Sequence, residues 1–429
     1  MSAVVVFIIF AICLVIAIPI SISLGIVAVL PGAFDASFTA SAGYVIRSMV
    51  GGIDSFPLLA VPMFVLAGIL MAHGKISEKL FDVFVYFLGN KRAGIPCAVI
   101  ITCLFYGAIS GSAPATVAAV GSMTIPLLIE LGYEKDFSTA IVAVAGGLGV
   151  IIPPSIPFIM YAMATGESVS DLFLAGIVPG MMISALLIFY AYYYCRRHGE
   201  DREKIQAKMG QLKAKGFFNI LKESIWALLS PVIVLGCIYT GVASPTEAAV
   251  ISVFYSLFVS LFIYRSIKVK QIWGIMVEAM KTYAPILFIL ATSTAFSRVL
   301  TLMQVPQDVS AWIMTHFSNE IVLLIVINVV LLIVGMVMDT TPAILILSPI
   351  LLPIVEHVGM NPIHFGVMMI VNLAVGFVTP PVGVNLFVAS SLTNVPMMQI
   401  AKKAMPMIGY FMLALLLITF IPAISLCLL

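Results

Sequence analysis

The chain has 429 residues, of which 62% are apolar and only 9% are Asp, Glu, Lys or Arg, and its net charge is +2. Soluble domains carry about 25% charged residues, so this chain could not coat the surfaces of the roughly three soluble domains its length allows. The charge balance excludes a nucleic-acid binder, the apolar excess excludes disorder, and recurring apolar stretches of about 20 residues point to an all-α polytopic membrane protein.

In chain order, Met1 to Leu30 is apolar without a basic leader and reads as mature membrane helix rather than a cleaved signal. A segment of mixed polarity follows, Phe34–Ser55, then an apolar run opening with proline, Pro57–Ala72. A second mixed segment covers His73–Arg92. Within it, Leu80, Phe81, Phe84 and Leu88 fall on one side of a helix over Ile76–Leu88, and Glu78, Lys79 and Asp82 on another. That is the pattern of a helix lying along the membrane interface. An apolar region broken by Gly and Pro and a final helix complete the first half. Arg196 to Lys215 then carries seven basic residues, a polar connector near the midpoint. The second half repeats the order: Tyr264–Tyr283 mixed, Pro285–Leu300 apolar, Thr301–Glu320 mixed, a broken region, a final helix. The expected units are therefore 1–195, a connector at 196–224, and 225–429. The six cysteines form no C-x-x-C pair and read as small apolar side chains. The five histidines lack metal-ligand spacing.

The halves superpose at an offset of 227 residues, the separation of Pro126 from Pro353. At that offset Gly149 falls on Gly376, Pro153-Pro154 on Pro380-Pro381, and Pro179 on Pro406. Basic residues mark the cytoplasmic side. Lys75, Lys79, Lys91 and Arg92 have no basic counterpart in Thr301–Glu320. Arg265, Lys268, Lys270 and Lys281 face a segment with only Arg47, and Lys402-Lys403 face none. Each pair has opposite character, as two inverted repeats require. The connector then lies in the cytoplasm and both termini outside.

Each half contains two breaks in apolar surroundings. The first half has Gly107 to Thr116 and Gly146 to Ser155; the second has Gly335 to Pro342 and Gly376 to Asn385. Gly and Pro stop helices, and backbone freed at membrane depth is tolerated only where protein, water or an ion satisfies it. Such breaks at matched positions point to a transporter's central site. Oxygens near Gly107, Ser110, Gly149, Ile152 and Ser155 are candidates for one Na⁺ cage, and those near Gly335, Gly376, Thr379 and Val382 for its mirror image. At least two Na⁺ sites are expected. Helix N-termini after the breaks suit a carboxylate, with Ser112, Thr340, Thr341 and Asn385 as polar substrate contacts. Asp339, a carboxylate amid apolar helices, is a functional candidate by default. It serves either the second cage or the substrate.

Other motifs weigh differently. Ser244-Pro-Thr-Glu247 reads as a capping box. Arg298 reads as a residue that snorkels from a segment end, with a substrate-carboxylate role as the alternative. The P-loop-like Gly68…Gly74-Lys75 has the wrong spacing, which disfavours a primary pump. An intramembrane protease lacks a buried base or a second aspartate.

The stretches Ser55–Gly68, Ser110–Thr116, Gly149–Ser155, Ser244–Ala249 and Thr379–Asn385 together resemble the large (DctM-type) membrane subunit of tripartite ATP-independent periplasmic (TRAP) transporters, most like the sialic-acid (N-acetylneuraminate) type. Ser244 stands where the family usually has Thr. The resemblance implies an ion-transporter-type fold, with re-entrant hairpin tips at Ser110–Thr116 and Asp339–Pro342. It also implies interfacial arm helices and an elevator-like transport domain near 93–165 and 320–392, moving against a scaffold. It implies Na⁺-driven import of an organic acid across the bacterial inner membrane, a periplasmic substrate-binding protein, and a small four-helix membrane subunit. A stand-alone Na⁺-coupled dicarboxylate symporter of related fold is the alternative.

Overall fold

The computed structural model describes residues 3–34, 38–214, 216–316 and 319–429. Lys215 of the connector lies outside them, as do a few residues inside the mixed segments 34–55 and 301–320. Among the described residues the regular structure is helical, and nine helices are long and apolar enough to cross a membrane.

The first half comprises α1 (Ala3–Val15), α2 (Ile20–Phe34), α3 (Ala42–Ile53), α4 (Ala60–His73), α5 (Ile76–Leu88), α6 (Gly94–Ser110), α7 (Ala113–Glu130), α8 (Lys135–Ala145), α9 (Ile156–Thr165) and α10 (Val169–His198). The connector carries α11 (Arg202–Ala214) and the start of α12 (Phe217–Tyr239), and the second half continues through α13 (Pro245–Phe258), α14 (Val269–Leu302), α15 (Val305–His316), α16 (Glu320–Val337), α17 (Thr340–His357), α18 (Pro362–Gly376), α19 (Val384–Thr393), α20 (Met397–Phe420) and α21 (Ala423–Leu426). Element boundaries recur at the offset seen in the sequence: α7 and α17 correspond end to end, and α8 and α18 start at matched positions.

Two expectations need correction. The N-terminal apolar stretch is two helices, because Ala17 takes a φ of 60° and Pro19 follows, together ending α1 and restarting the chain. Tyr264–Tyr283 and Pro285–Leu300 do not form separate segments. α14 runs through Pro285 for 34 residues, about 50 Å, which exceeds a hydrocarbon core of about 30 Å. In the first half the same stretch does break, because Gly51-Gly52 weaken the helix and Ser55 adopts extended backbone ahead of Pro57. The polar connector is itself helical. α10 continues through Arg196 and Arg197. α11 buries Ile205 and Met209, four residues apart on one face.

α5 occupies the predicted interval, with Leu80 and Phe81 buried, and the capping box at Ser244–Glu247 is formed. The cysteines are unpaired; Cys427 is exposed, while four others are buried.

The core lies where the repeats meet. α8 is buried on every side from Phe137 to Ala145, and α18 from His364 to Gly376. A helix apolar all round belongs in the interior, and these two lead directly into the Gly-Pro breaks. α1, α2, α3 and α14 close a separate apolar cluster through Val6, Leu24, Val45 and Phe296.

Candidate functional site

In the first half α6 ends as Gly111 turns into the left-handed region at φ 61°, its N–H donating to the Gly107 carbonyl at 2.9 Å. Ser112 then opens α7, with Pro114 in the first turn, where a missing N–H costs nothing. The second break is a tight turn over Gly146–Val150 and a cis Pro153-Pro154 bond. Ser155 caps α9, its hydroxyl donating to the Val150 carbonyl at 2.5 Å. The two breaks are in contact. A Cβ on Gly107 would lie 2.7 Å from the Gly149 Cα, and one on Gly149 would meet the Ser112 carbonyl at 2.7 Å. The Ile156 N–H donates to the Gly111 carbonyl at 3.3 Å. The Ser110 and Thr116 hydroxyls are 3.0 Å apart, and Thr116 also donates to the Ser112 carbonyl at 2.8 Å. Gly107, Ser110, Gly149 and Ser155 therefore share one locus. Ser112, expected on the substrate side, joins them through its carbonyl. Ile152 is buried beside them and donates from its amide to Leu148.

The second half is built alike. A Cβ on Gly376 would overlap the Gly335 backbone. The Val382 N–H donates to the Met336 carbonyl at 3.2 Å, fastening the second break to the end of α16. Thr379 donates to Val375 at 2.8 Å, and Pro380-Pro381 is cis. Gly335, Gly376, Thr379 and Val382 are thus brought together.

Asp339 stands at the start of α17 with an accessible side chain, and its carboxylate accepts from the Thr340 N–H at 2.7 Å and the Thr340 hydroxyl at 3.4 Å. Thr340 and Thr341 are buried behind it. Asn385 is fully buried and ties the halves together, donating to the Ala143 carbonyl of α8 at 3.1 Å. Its Oδ1 has no hydrogen-bond partner.

Two groups escaped the sequence reading. Thr116 lies inside a recognised stretch, and only its distance to Ser110 marks it. Asn328 and Asn372 form a buried amide pair: Asn372 donates to the Asn328 side chain at 2.8 Å and backbone at 2.9 Å. Asn328 donates in turn to Leu324. Lone amides in otherwise apolar helices were a usable signal.

The donors at both loci are hydroxyl, carbonyl and amide oxygens, the set a hard cation prefers. The glycine cradles fit such an ion. A sequence model of the tripartite ATP-independent periplasmic transporter family, DctM component, matches residues 7–424. The chain belongs to this family.

It is accordingly a multi-pass membrane transporter subunit and not an enzyme. The isethionate TRAP transporter permease DctMQ of Oleidesulfovibrio alaskensis is 43% identical over 97% of this chain, which spans 64% of that protein. The C4-dicarboxylate TRAP large permease DctM of Pseudomonas aeruginosa is 39% identical over 87% of this chain and 86% of its own. Among solved structures, the Alcanivorax borkumensis YdaH transporter shares the fold at a TM-score of 0.64 and 13% identity, covering 93% of this chain and 96% of that one.

Proposed function

We propose that this DctM-family chain is the substrate-moving subunit of a Na⁺-coupled, tripartite importer of organic acids. The observation that carries the reading is the contact of two oxygen-lined breaks within each half, Gly107 against Gly149 and Gly335 against Gly376. Bound Na⁺ supplies positive charge beside the anion and ties its uptake to the ion gradient. The chain's own residues hold that charge. The Ser110 and Thr116 hydroxyls and the Ser112 carbonyl face one locus, and Thr379 lies at the other, while the free Oδ1 of Asn385 is left for the substrate. Asp339, Thr340 and Thr341 at the tip of α17 receive the polar groups of the substrate.

The two halves are read as inverted repeats, with residues near 93–165 and 320–392 moving as one elevator-like body. The connector faces the cytoplasm and the termini face the periplasm of a bacterial inner membrane. A periplasmic binding protein delivers the acid, and a small membrane subunit braces the scaffold. The relatives named for isethionate and C4-dicarboxylates support an organic acid as the cargo.

The test is uptake into proteoliposomes holding this chain and its small membrane subunit, with the binding protein added outside. Isethionate, succinate and N-acetylneuraminate are offered in Na⁺ or choline buffer. Uptake of at least one acid is expected only with both Na⁺ and the binding protein. Equal uptake in choline overturns Na⁺ coupling, and equal uptake without the other subunits makes the chain a stand-alone symporter.

A further inference from the structure

A cavity of about 510 Å³ opens between α3, α14, the α9–α10 turn and α17, away from the glycine contacts. Its size is that of a small-molecule site, about 300–1,000 Å³. Thr294, Ser297 and Arg298 of α14 line it, with Ser55, Glu167 and Leu345 on other walls. Its walls border two apolar clusters that α14 and α17 share, through Phe296 and Ile346 in one and Leu290 and Leu345 in the other.

Arg298 sits beside the crossing of α3 and α14. A Cβ on Gly52 would come within 2.7 Å of Thr294, so α3 and α14 cross in close contact there. Arg298, one turn further along the same face, reaches over α3, where a Cβ on Gly51 would lie 3.8 Å from its Nη1. Arg298 is exposed and lines the wall of this open cavity. Among the described residues its guanidinium has neither an ion pair nor a hydrogen bond. A guanidinium in a recess with two hydroxyls beside it binds carboxylate or sulfonate through paired N–H donors.

We propose that this cavity is a receiving site for the anionic group of the transported acid, anchored by Arg298. The proposal rests on the organic-acid reading above and adds a second subsite to it, distinct from the tip of α17. Glu167, the cavity's other charged residue, accepts hydrogen bonds from substrate hydroxyls and repels a second carboxylate. The site therefore selects hydroxylated monoanions over dianions.

The test compares wild type with Arg298→Gln, Arg298→Lys and Arg47→Gln in the reconstituted complex. Arg47 is an exposed cation on α3 outside the cavity. Losing the charged hydrogen bonds should raise KM for isethionate about tenfold or more with little change in kcat. Arg298→Lys should recover part of the loss, and Arg47→Gln should leave KM unchanged. Equal effects of Arg298→Gln and Arg47→Gln would mean only a general field and overturn the site, as would an unchanged KM. Glu167→Gln should narrow the preference for isethionate over succinate; an unchanged ratio removes Glu167 from the proposal. A second readout needs no transport. Ser297→Cys in the full chain is labelled with a thiol reagent, and its peptide is followed by mass spectrometry. Isethionate should slow labelling with Arg298 present and not with Arg298→Gln. Protection in both backgrounds, or in neither, rejects the anchor. Wild type that imports no acid while Ser297→Cys is still protected would sink the proposed function and leave the site standing.

Discussion

Gly107 and Gly149 approach so closely that a single carbon added to Gly107 would lie 2.7 Å from the Gly149 Cα. The meeting of the two breaks depends on both residues lacking a side chain. Gly107→Ala must separate them, and overpacking of this kind costs about 1–3 kcal/mol. It also shifts Ser110 and Thr116 out of register with the Ser112 carbonyl. The expected result is a lower melting temperature and a loss of uptake. Gly409→Ala is the comparison, because nothing lies within 4 Å of a Cβ there, and a helix gains by that change. Equal melting temperatures for the two variants would count against the close-contact account.

Asp339 has two roles that one substitution can separate. As N-cap of α17 it satisfies the Thr340 amide, a contribution of about 1 kcal/mol. Asparagine caps helices equally well and carries no charge. Asp339→Asn should therefore melt like wild type and lose most uptake, whereas Asp339→Ala should lose both uptake and about 1 kcal/mol of stability. Wild-type uptake by Asp339→Asn would leave the residue as a cap alone.

The sequence revealed the repeat because Pro126 and Pro353, or Pro179 and Pro406, punctuate apolar runs at a constant offset, and backbone-breaking residues act locally. It also located α5, whose apolar face is fixed by side chains within two turns. It failed where the outcome depends on contacts between distant segments. Pro285 looks like a helix start, yet α14 passes through it because no Gly-Gly or extended serine precedes it. The exposure of Asp339 and the bond from Asn385 to Ala143 arise from how the halves pack, which no local pattern encodes. Arg298 shows the same limit: near a helix end it reads as a snorkelling residue, and its place beside the α3–α14 crossing at Gly51 and Gly52 comes only from the packing.

Glu200 gives a prediction about assembly. Its side chain is 2% exposed, and one oxygen accepts from the Ala93 amide at 3.0 Å and from the Tyr133 hydroxyl at 2.6 Å. The other oxygen pairs with Arg202 at 3.0 Å. The connector is thereby fastened to the starts of α6 and α8. Glu200→Ala leaves buried donors without partners and should cost about 1–3 kcal/mol. Tyr133→Phe should cost less, and a double-mutant cycle should return a coupling of about 0.5–3 kcal/mol. Additive losses would show that the two groups act separately.

Acid should loosen the opposite side of the same surface. Glu134 accepts from Lys403 of α20 at 2.5 Å and from the Tyr194 hydroxyl at 2.8 Å. The Lys403 contact is the main cause that holds its carboxyl below the usual glutamate range. A carboxylate whose folded pKa is depressed stabilises the fold above its unfolded value, and that contribution is lost as pH falls through the folded one. Both partners are partly exposed, so the contribution is about 0–1 kcal/mol. Lys403→Met removes the ion pair, although Gln399 still bonds Asp136 nearby. The melting temperatures of wild type and Lys403→Met should therefore differ most near neutral pH. The gap should close as pH drops below the carboxylate range. A gap that stayed constant across that range would mean that Lys403 stabilises α20 by packing over the Tyr194 ring, 5.2 Å from its centre, and not through Glu134.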